Sequence, residues 1–121
     1  MTTILIAEDN RVNQRLLTFT LQKSGHQVIT ALHGGEALEQ LAVNSIDLVI
    51  ADINMPEMDG VTFVKRVRAD ERFQSLPVIV LTASGKDEDY EMAWAAGAND
   101  VLTKPTSSHE LIATIEKMLH P

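Results

Sequence analysis

Five polar or charged residues stand where short apolar runs of the sequence end. They are Glu8, Asp9, Asp52, Thr82 and Lys104. Brought together, they would place three carboxylates, a hydroxyl and an ammonium group in one small cleft. Carboxylates about 4 Å apart repel each other by on the order of 4 kcal/mol per pair at an effective dielectric constant near 20. Such a cluster is therefore tolerable only if it binds a cation or keeps some of its members protonated.

The types of ligand atom indicate which cation and which chemistry the cluster suits. An all-oxygen site with few carboxylates favours Mg²⁺, which keeps several waters and accepts phosphate oxygens as ligands. Histidine and cysteine are missing from the set, and this disfavours zinc. Lys104 adds a positive charge for phosphoryl oxygens, and Thr82 adds a neutral donor. The pattern predicts phosphoryl transfer in which one carboxylate attacks and the other groups spread the developing charge.

These residues need a scaffold that brings the ends of separate apolar runs together. The runs that we interpret as buried strands are residues 4–7, 27–31, 47–51, 78–81 and 101–103. Helical patterns follow them at residues 13–24, 35–43, 61–69 and 87–96, and a last helix is capped by Ser107 or Ser108. Strict alternation of apolar strands and helices predicts a parallel sheet covered on both faces. Five units cannot close an eight-stranded barrel, so we expect an open, doubly wound α/β sheet with its site at the carboxyl ends of the strands.

The composition limits the class of protein. The 121 residues fit one domain, residues 1–121, and the net charge of −7 disfavours nonspecific binding to nucleic acid or to anionic membranes. No apolar run approaches the ~20 residues that cross a bilayer, so membrane insertion is not expected. The N-terminus lacks the basic region of a signal peptide, and cysteine is absent. We therefore predict a cytoplasmic location.

Four segments, taken in order, resemble the receiver domains of two-component response regulators. They are residues 4–10, 47–60, 78–83 and 97–105, which contain the acidic pair, Asp52, the Thr-Ala step and the Lys-Pro step. The resemblance covers essentially the whole chain. It implies a flavodoxin-like, five-stranded sheet with strand order 2-1-3-4-5 and five flanking helices.

The resemblance also implies a role for each residue of the cluster. Asp52 would be the phosphorylated aspartate. Asp9, Asp52 and the backbone carbonyl of Asn54 would bind Mg²⁺ directly, and Glu8 would act through water. Thr82 and Lys104 would each bind a phosphoryl oxygen, and the Lys104–Pro105 peptide would be cis. The donor would be a phosphohistidine on a sensor histidine kinase or on a histidine phosphotransfer domain.

Three features depart from the usual pattern of the family or extend it. Glu8 replaces the commoner Asp, and Val101 stands where Tyr or Phe is frequent, so the aromatic half of the usual switch is unsupported. Residues 8–14 resemble receivers attached to hybrid sensor kinases, which indicates either a piece of a longer protein or a relay partner. Output to an effector protein is expected through the face of the fourth helix, fifth strand and fifth helix, which includes Trp94 and Val101. Trp94 itself is interpreted either as edge packing or as an anchor for that partner.

Other functions fit the sequence less well. A phosphatase with an aspartyl-phosphate intermediate typically has a second acid two residues after the nucleophile, where this chain has Asn54, and a cap domain, which we do not find. A constitutive binding module would not need the complete cluster, and a dinucleotide site would need a glycine-rich loop after the first strand. We expect a protein that catalyses only its own phosphorylation and slow dephosphorylation, and is not otherwise an enzyme. The four histidines are scattered, and we predict that they are exposed; they are His26, His33, His109 and His120.

Overall fold

A computed structural model describes residues 2–83 and 87–120 as an open α/β sheet. The strands are β1 (Thr3–Ala7), β2 (Gln27–Ala31), β3 (Leu48–Asp52), β4 (Val78–Thr82) and β5 (Asp100–Thr103). The helices are α1 (Arg11–Lys23), α2 (Gly34–Val43), α3 (Gly60–Ala69), α4 (Asp87–Ala96) and α5 (Ser108–Leu119), with a 3₁₀ turn at Glu71–Phe73. All neighbouring strands are parallel, in the order β2-β1-β3-β4-β5. The predicted fold and strand order are confirmed.

The core has two layers, one on each face of the sheet. Successive side chains of a strand point to opposite faces, so the all-apolar strands supply both layers. One layer joins the sheet to α2, α3 and α4 and includes Phe63, Val64 and Ala93. The other joins the sheet to α1 and α5 and includes Leu21 and Ile115. The central strands β3 and β4 are buried along their whole length, so their last residues, Asp52 and Thr82, are buried as well.

Helices α1, α3 and α5 begin at side chains that accept hydrogen bonds from their first turns. Asn10, Asp59 and Ser107 each accept from the backbone N–H three residues ahead, which satisfies a donor that the helix itself leaves unpaired. Ser107 is therefore the cap of α5, one of the two predicted residues. Gly25 follows the end of α1 with a φ of +91°, a conformation that glycine adopts without strain.

The structure corrects one prediction about the histidines. His109 and His120 are exposed, and His33 is partly buried as the cap of α2. His26 is buried, with its Nε2 atom 3.6 Å from Oε1 of Glu116 on α5. Its neighbours Gly25 and Gln27 are exposed, so nothing in the local pattern marks His26 as buried. Among the described residues, no helix is long and apolar enough to cross a membrane.

Candidate phosphoacceptor and cation site

The predicted cluster forms at the carboxyl edge of the sheet, where Lys104 lies between two carboxylates. Its Nζ atom is 2.8 Å from Oδ2 of Asp52 and 3.1 Å from Oε2 of Glu8. Asp52 ends β3, Glu8 directly follows β1, and Lys104 directly follows β5. The backbone N–H of Lys104 donates to the carbonyl of Thr82 at 2.7 Å, which ties the end of β5 to the end of β4. The Lys104–Pro105 peptide is cis, as predicted.

Burial makes this cluster unusual for charged groups. Glu8 is 1% exposed, Asp52 5% and Thr82 0%. Asp9 is exposed, so it faces the solvent at the mouth of the cleft. Buried carboxylates are seldom found without a cationic or hydrogen-bonding partner, because removing their charge from water is costly. Lys104 supplies one such partner to both buried acids.

The environment moves two pKa values in the cluster. Burial raises the pKa of Glu8, and the hydrogen bond to Asp52 and its negative charge raise it further, against the smaller opposing effect of Lys104. Burial alone would lower the pKa of Lys104. The hydrogen bond to Asp52 and its charge, together with those of Glu8, outweigh burial and raise it. Lys104 is therefore held in its charged form at neutral pH.

The loop after β3 brings Asn54 over the end of that strand. Its backbone N–H donates to Oδ1 of Asp52 at 3.2 Å. The loop then turns back, and the N–H of Gly60 donates to the carbonyl of Ile53 at 2.8 Å. A Cβ atom at Gly60 would lie 2.5 Å from the carbonyl oxygen of Asp52, a distance that a real side chain does not reach. Glycine at this position therefore permits the close return of α3 beneath the site.

The ligand set fits a hard divalent cation. Carboxylate oxygens of Glu8, Asp9 and Asp52 lie within 4.8 Å of one another. Three carboxylates against the single ammonium group of Lys104 leave an excess of two negative charges, which is the charge that one Mg²⁺ ion carries. Because the side-chain ligands are all carboxylate oxygens, the cleft suits Mg²⁺ better than a metal that prefers nitrogen or sulfur.

The cluster also contains hydrogen bonds that the sequence analysis did not assign. Asn13 Nδ2 donates to Oε1 of Glu8 at 3.3 Å. Gln14 Nε2 donates to the carbonyls of Glu8, at 3.3 Å, and of Ala31, at 3.2 Å. The feature of the sequence that indicates these contacts is the position of both residues in the first turn of a helix that directly follows the acidic pair.

The proposed partner face is only partly available at the surface. Trp94 on α4 is 48% exposed, in keeping with its predicted place near an edge. Val101 is 6% exposed and belongs to the core layer that α2, α3 and α4 cover. Its side chain cannot offer a partner the contact that an exposed residue would, so the predicted contribution of Val101 to this face is corrected. Four acids precede the tryptophan on α4: Asp87, Glu88, Asp89 and Glu91.

Comparisons with known proteins agree with this geometry. The sequence profile of the response regulator receiver domain matches residues 4–116. Chemotaxis protein CheY1 of Helicobacter pylori is 37% identical over 118 residues, which cover 96% of this chain and 95% of that protein. The crystal structure of chemotaxis protein CheY4 of Vibrio cholerae is similar with a TM-score of 0.93 at 34% identity, and the match covers 98% of this chain and 99% of that one.

A second similar structure is described with a bound metal ion. It is the receiver domain of a sensor histidine kinase from Pseudomonas aeruginosa PAO1, described with a magnesium ion coordinated in its active-site cleft. The two chains are 31% identical with a TM-score of 0.93, and the match covers 99% of this chain and 98% of that one.

Proposed function

The chain belongs to the response regulator receiver domains of two-component signal transduction, and from this premise we propose that Asp52 is its phosphoryl acceptor. The observation on which the proposal rests is the contact of Lys104 Nζ with Oδ2 of buried Asp52, at 2.8 Å, beside the carboxylates of Glu8 and Asp9. Asp52 is the member of the cluster that contacts the positive charge of Lys104 and also ends a central strand.

The reaction that we propose is an in-line displacement at phosphorus. A carboxylate oxygen of Asp52 forms the new bond to phosphorus, and the bond from phosphorus to the imidazole nitrogen of a phosphohistidine breaks. The leaving imidazole takes its electron pair and then a proton. Lys104 stabilises the charge on the phosphoryl oxygens, and the hydroxyl of Thr82, at the end of the adjacent strand, donates to another of them.

We also propose that the cleft holds Mg²⁺ during this reaction. Asp9, Asp52 and the backbone carbonyl of Asn54 would hold it directly, and Glu8 would act through water. When bound, Mg²⁺ would offset the negative charge of the acids and of the phosphoryl oxygens. The excess of two negative charges in the cluster and the magnesium ion described for the Pseudomonas aeruginosa receiver support this assignment.

The biological role follows from the same chemistry. The donor would be a sensor histidine kinase or a histidine phosphotransfer domain, and the output an altered affinity of the α4–β5–α5 face, including Trp94, for an effector protein. The protein would catalyse its own phosphorylation and slow dephosphorylation without turning over a separate substrate. We place it in the cytoplasm, where the histidine kinase partners of such domains present their phosphohistidine.

The test is incubation with acetyl phosphate, a small phosphoryl donor, followed by intact mass measurement. We expect an adduct of about 80 Da, the mass of one phosphoryl group, when Mg²⁺ is present. Excess EDTA should prevent it, and Asp52→Ala should abolish it. Asp47→Ala, at an exposed acid that precedes the same strand, is the matched control and should keep the adduct. An adduct that survives Asp52→Ala would overturn the assignment.

A further inference from the structure

Both carboxylate oxygens of Glu8 are held by side chains from different parts of the fold. Lys104 Nζ lies 3.1 Å from Oε2, and Asn13 Nδ2 donates to Oε1 at 3.3 Å. Lys104 comes from the end of β5 and Asn13 from the first turn of α1. Glu8 is therefore held from two sides, although only one of the two partners carries a charge.

A second hydrogen-bond donor is more important for fixing the position of a glutamate carboxylate than that of an aspartate carboxylate. Glutamate has one more methylene, and hence one more rotatable bond, between its backbone and its carboxylate. Lys104 also contacts Asp52, at 2.8 Å, so by itself it draws the carboxylate of Glu8 toward a group of like charge. The amide of Asn13 opposes this displacement without adding charge, because a neutral N–H donor stabilises a carboxylate where it lies.

The helix that carries Asn13 is itself anchored at the edge of the sheet. The backbone N–H of Asn13 donates to Oδ1 of Asn10 at 3.0 Å. The next residue, Gln14, donates to carbonyl oxygens at the ends of β1 and β2, those of Glu8 and Ala31. Side chains supported in this way can fix the geometry of a functional group better than side chains on a free loop.

We propose that Asn13 is a positioning residue of the cation site, which holds the carboxylate of Glu8 where it can serve a hydrated divalent cation. The inference rests on the proposed function, since it takes Glu8, Asp9 and Asp52 as the cation site. Asn13 acts through Glu8 and need not touch the cation or the phosphoryl group.

The experiment is a double-mutant cycle read out as Mg²⁺ affinity, measured by calorimetric titration without any phosphoryl donor. Asn13→Ala should weaken Mg²⁺ binding by about tenfold, the lower end of the effect of removing a group that orients a metal ligand. In the Glu8→Asp background the shorter side chain withdraws from the amide, so the same change should leave the affinity nearly unaltered. Asn44→Ala, which removes amide hydrogen bonds at the far end of α2, is the matched control and should bind Mg²⁺ normally.

Two outcomes would overturn the role of Asn13: unaltered affinity in Asn13→Ala, or an equal loss in the two backgrounds. Asn13→Ser, which also removes the amide, replaces the alanine variant if the latter does not melt cooperatively. The proposed function fails separately, if the parent protein itself neither binds Mg²⁺ nor forms the acetyl phosphate adduct. A parent that does both while Asn13→Ala binds equally well would leave the receiver function intact and remove only the positioning role.

Discussion

Two partly buried cations lie at opposite ends of β5, and their surroundings differ in kind. Lys104, at the carboxyl end, contacts two carboxylates within 3.1 Å. Arg68, on α3, lies near the amino end and donates to carbonyl oxygens. Its partners at 2.7–3.0 Å are Gly97, Phe73, Leu76 and the side chain of Asn99, and the carbonyl of Gln74 lies farther away, at 3.4 Å.

Burial acts to lower the pKa of both cations, but their net pKa shifts have opposite directions. Burial lowers the pKa of Arg68, yet arginine keeps its proton at any pH relevant to a folded protein. In Lys104 the contacts with Asp52 and Glu8 outweigh burial and raise the pKa. Arg68 joins α3, the turn after it and the segment before β5 through neutral acceptors. Lys104 instead offsets part of a repulsive cluster of acids.

Arg68 holds parts of the fold together, whereas Lys104 lies where it would serve the proposed phosphoryl transfer. Neutral carbonyl oxygens are not phosphoryl acceptors, so the hydrogen bonds of Arg68 take no part in the proposed reaction. The acids around Lys104 repel one another, and such a cluster persists where function requires it. Substitutions at the two sites should therefore affect different measurements.

The largest effect is expected from Lys104→Met, which keeps the length and apolar stem of the side chain but removes its charge. Loss of one preorganised electrostatic group typically slows a reaction by about 10²- to 10³-fold, and we expect this loss in the rate of adduct formation from acetyl phosphate. A time course by intact mass measures it. Lys65→Met, at an exposed lysine of α3, is the control; a similar rate in the Lys104 and Lys65 variants would remove the distinction between the two cations.

A smaller effect, and on another property, is expected from Arg68→Met. The change leaves partly buried carbonyls without their donor, at about 1–3 kcal/mol for each group that water cannot reach. We expect a loss of about 3 kcal/mol in the free energy of unfolding, measured by urea denaturation, with adduct formation retained in the folded fraction. Arg66→Met, at an exposed neighbour on α3, should change stability little. Equal losses from both substitutions would show that the carbonyl contacts contribute nothing.

The smallest effect is expected from Glu8→Gln, measured as the melting temperature in EDTA. The pKa of Glu8 is raised by folding, so the folded state binds this proton more tightly than the unfolded chain does. Stability from this group is therefore fully present below its ordinary value of 4.5 and is lost as the pH rises through the folded-state pKa. Gln carries no charge, so the variant should melt a few degrees higher than the parent at pH 7. The difference should vanish below about pH 4.5; a lower melting temperature at pH 7 would contradict it.

The sequence revealed the Lys104 end of the sheet far better than the Arg68 end. Strand-end acids and a lysine are recognisable as residue types, and parallel strands must bring their carboxyl ends to one edge. Most acceptors of Arg68 are backbone carbonyls, which every residue has, so the residue types in the sequence do not distinguish them. Asn13 was likewise visible only once the first turn of α1 had been placed beside Glu8.

The error at His26 has the same physical origin. A histidine between two exposed residues gives no local sign of burial, and Glu116, which lies beside it, belongs to the last helix. Local patterns predicted the elements well because each strand and helix buries residues at its own period. They could not predict contacts made by a single side chain across the fold.

The pairing of Lys104 with Glu8, 96 positions apart, has a consequence for synthesis. Glu8 is synthesised before the lysine that offsets its charge, with most of the domain between them. During translation the acids at the ends of β1 and β3 are therefore made before their cation. A nascent chain that stops before β5 lacks the lysine of the proposed acceptor site. Competence for signalling would arise only after nearly the whole domain has been made, so incomplete chains could not divert phosphoryl groups from the pathway.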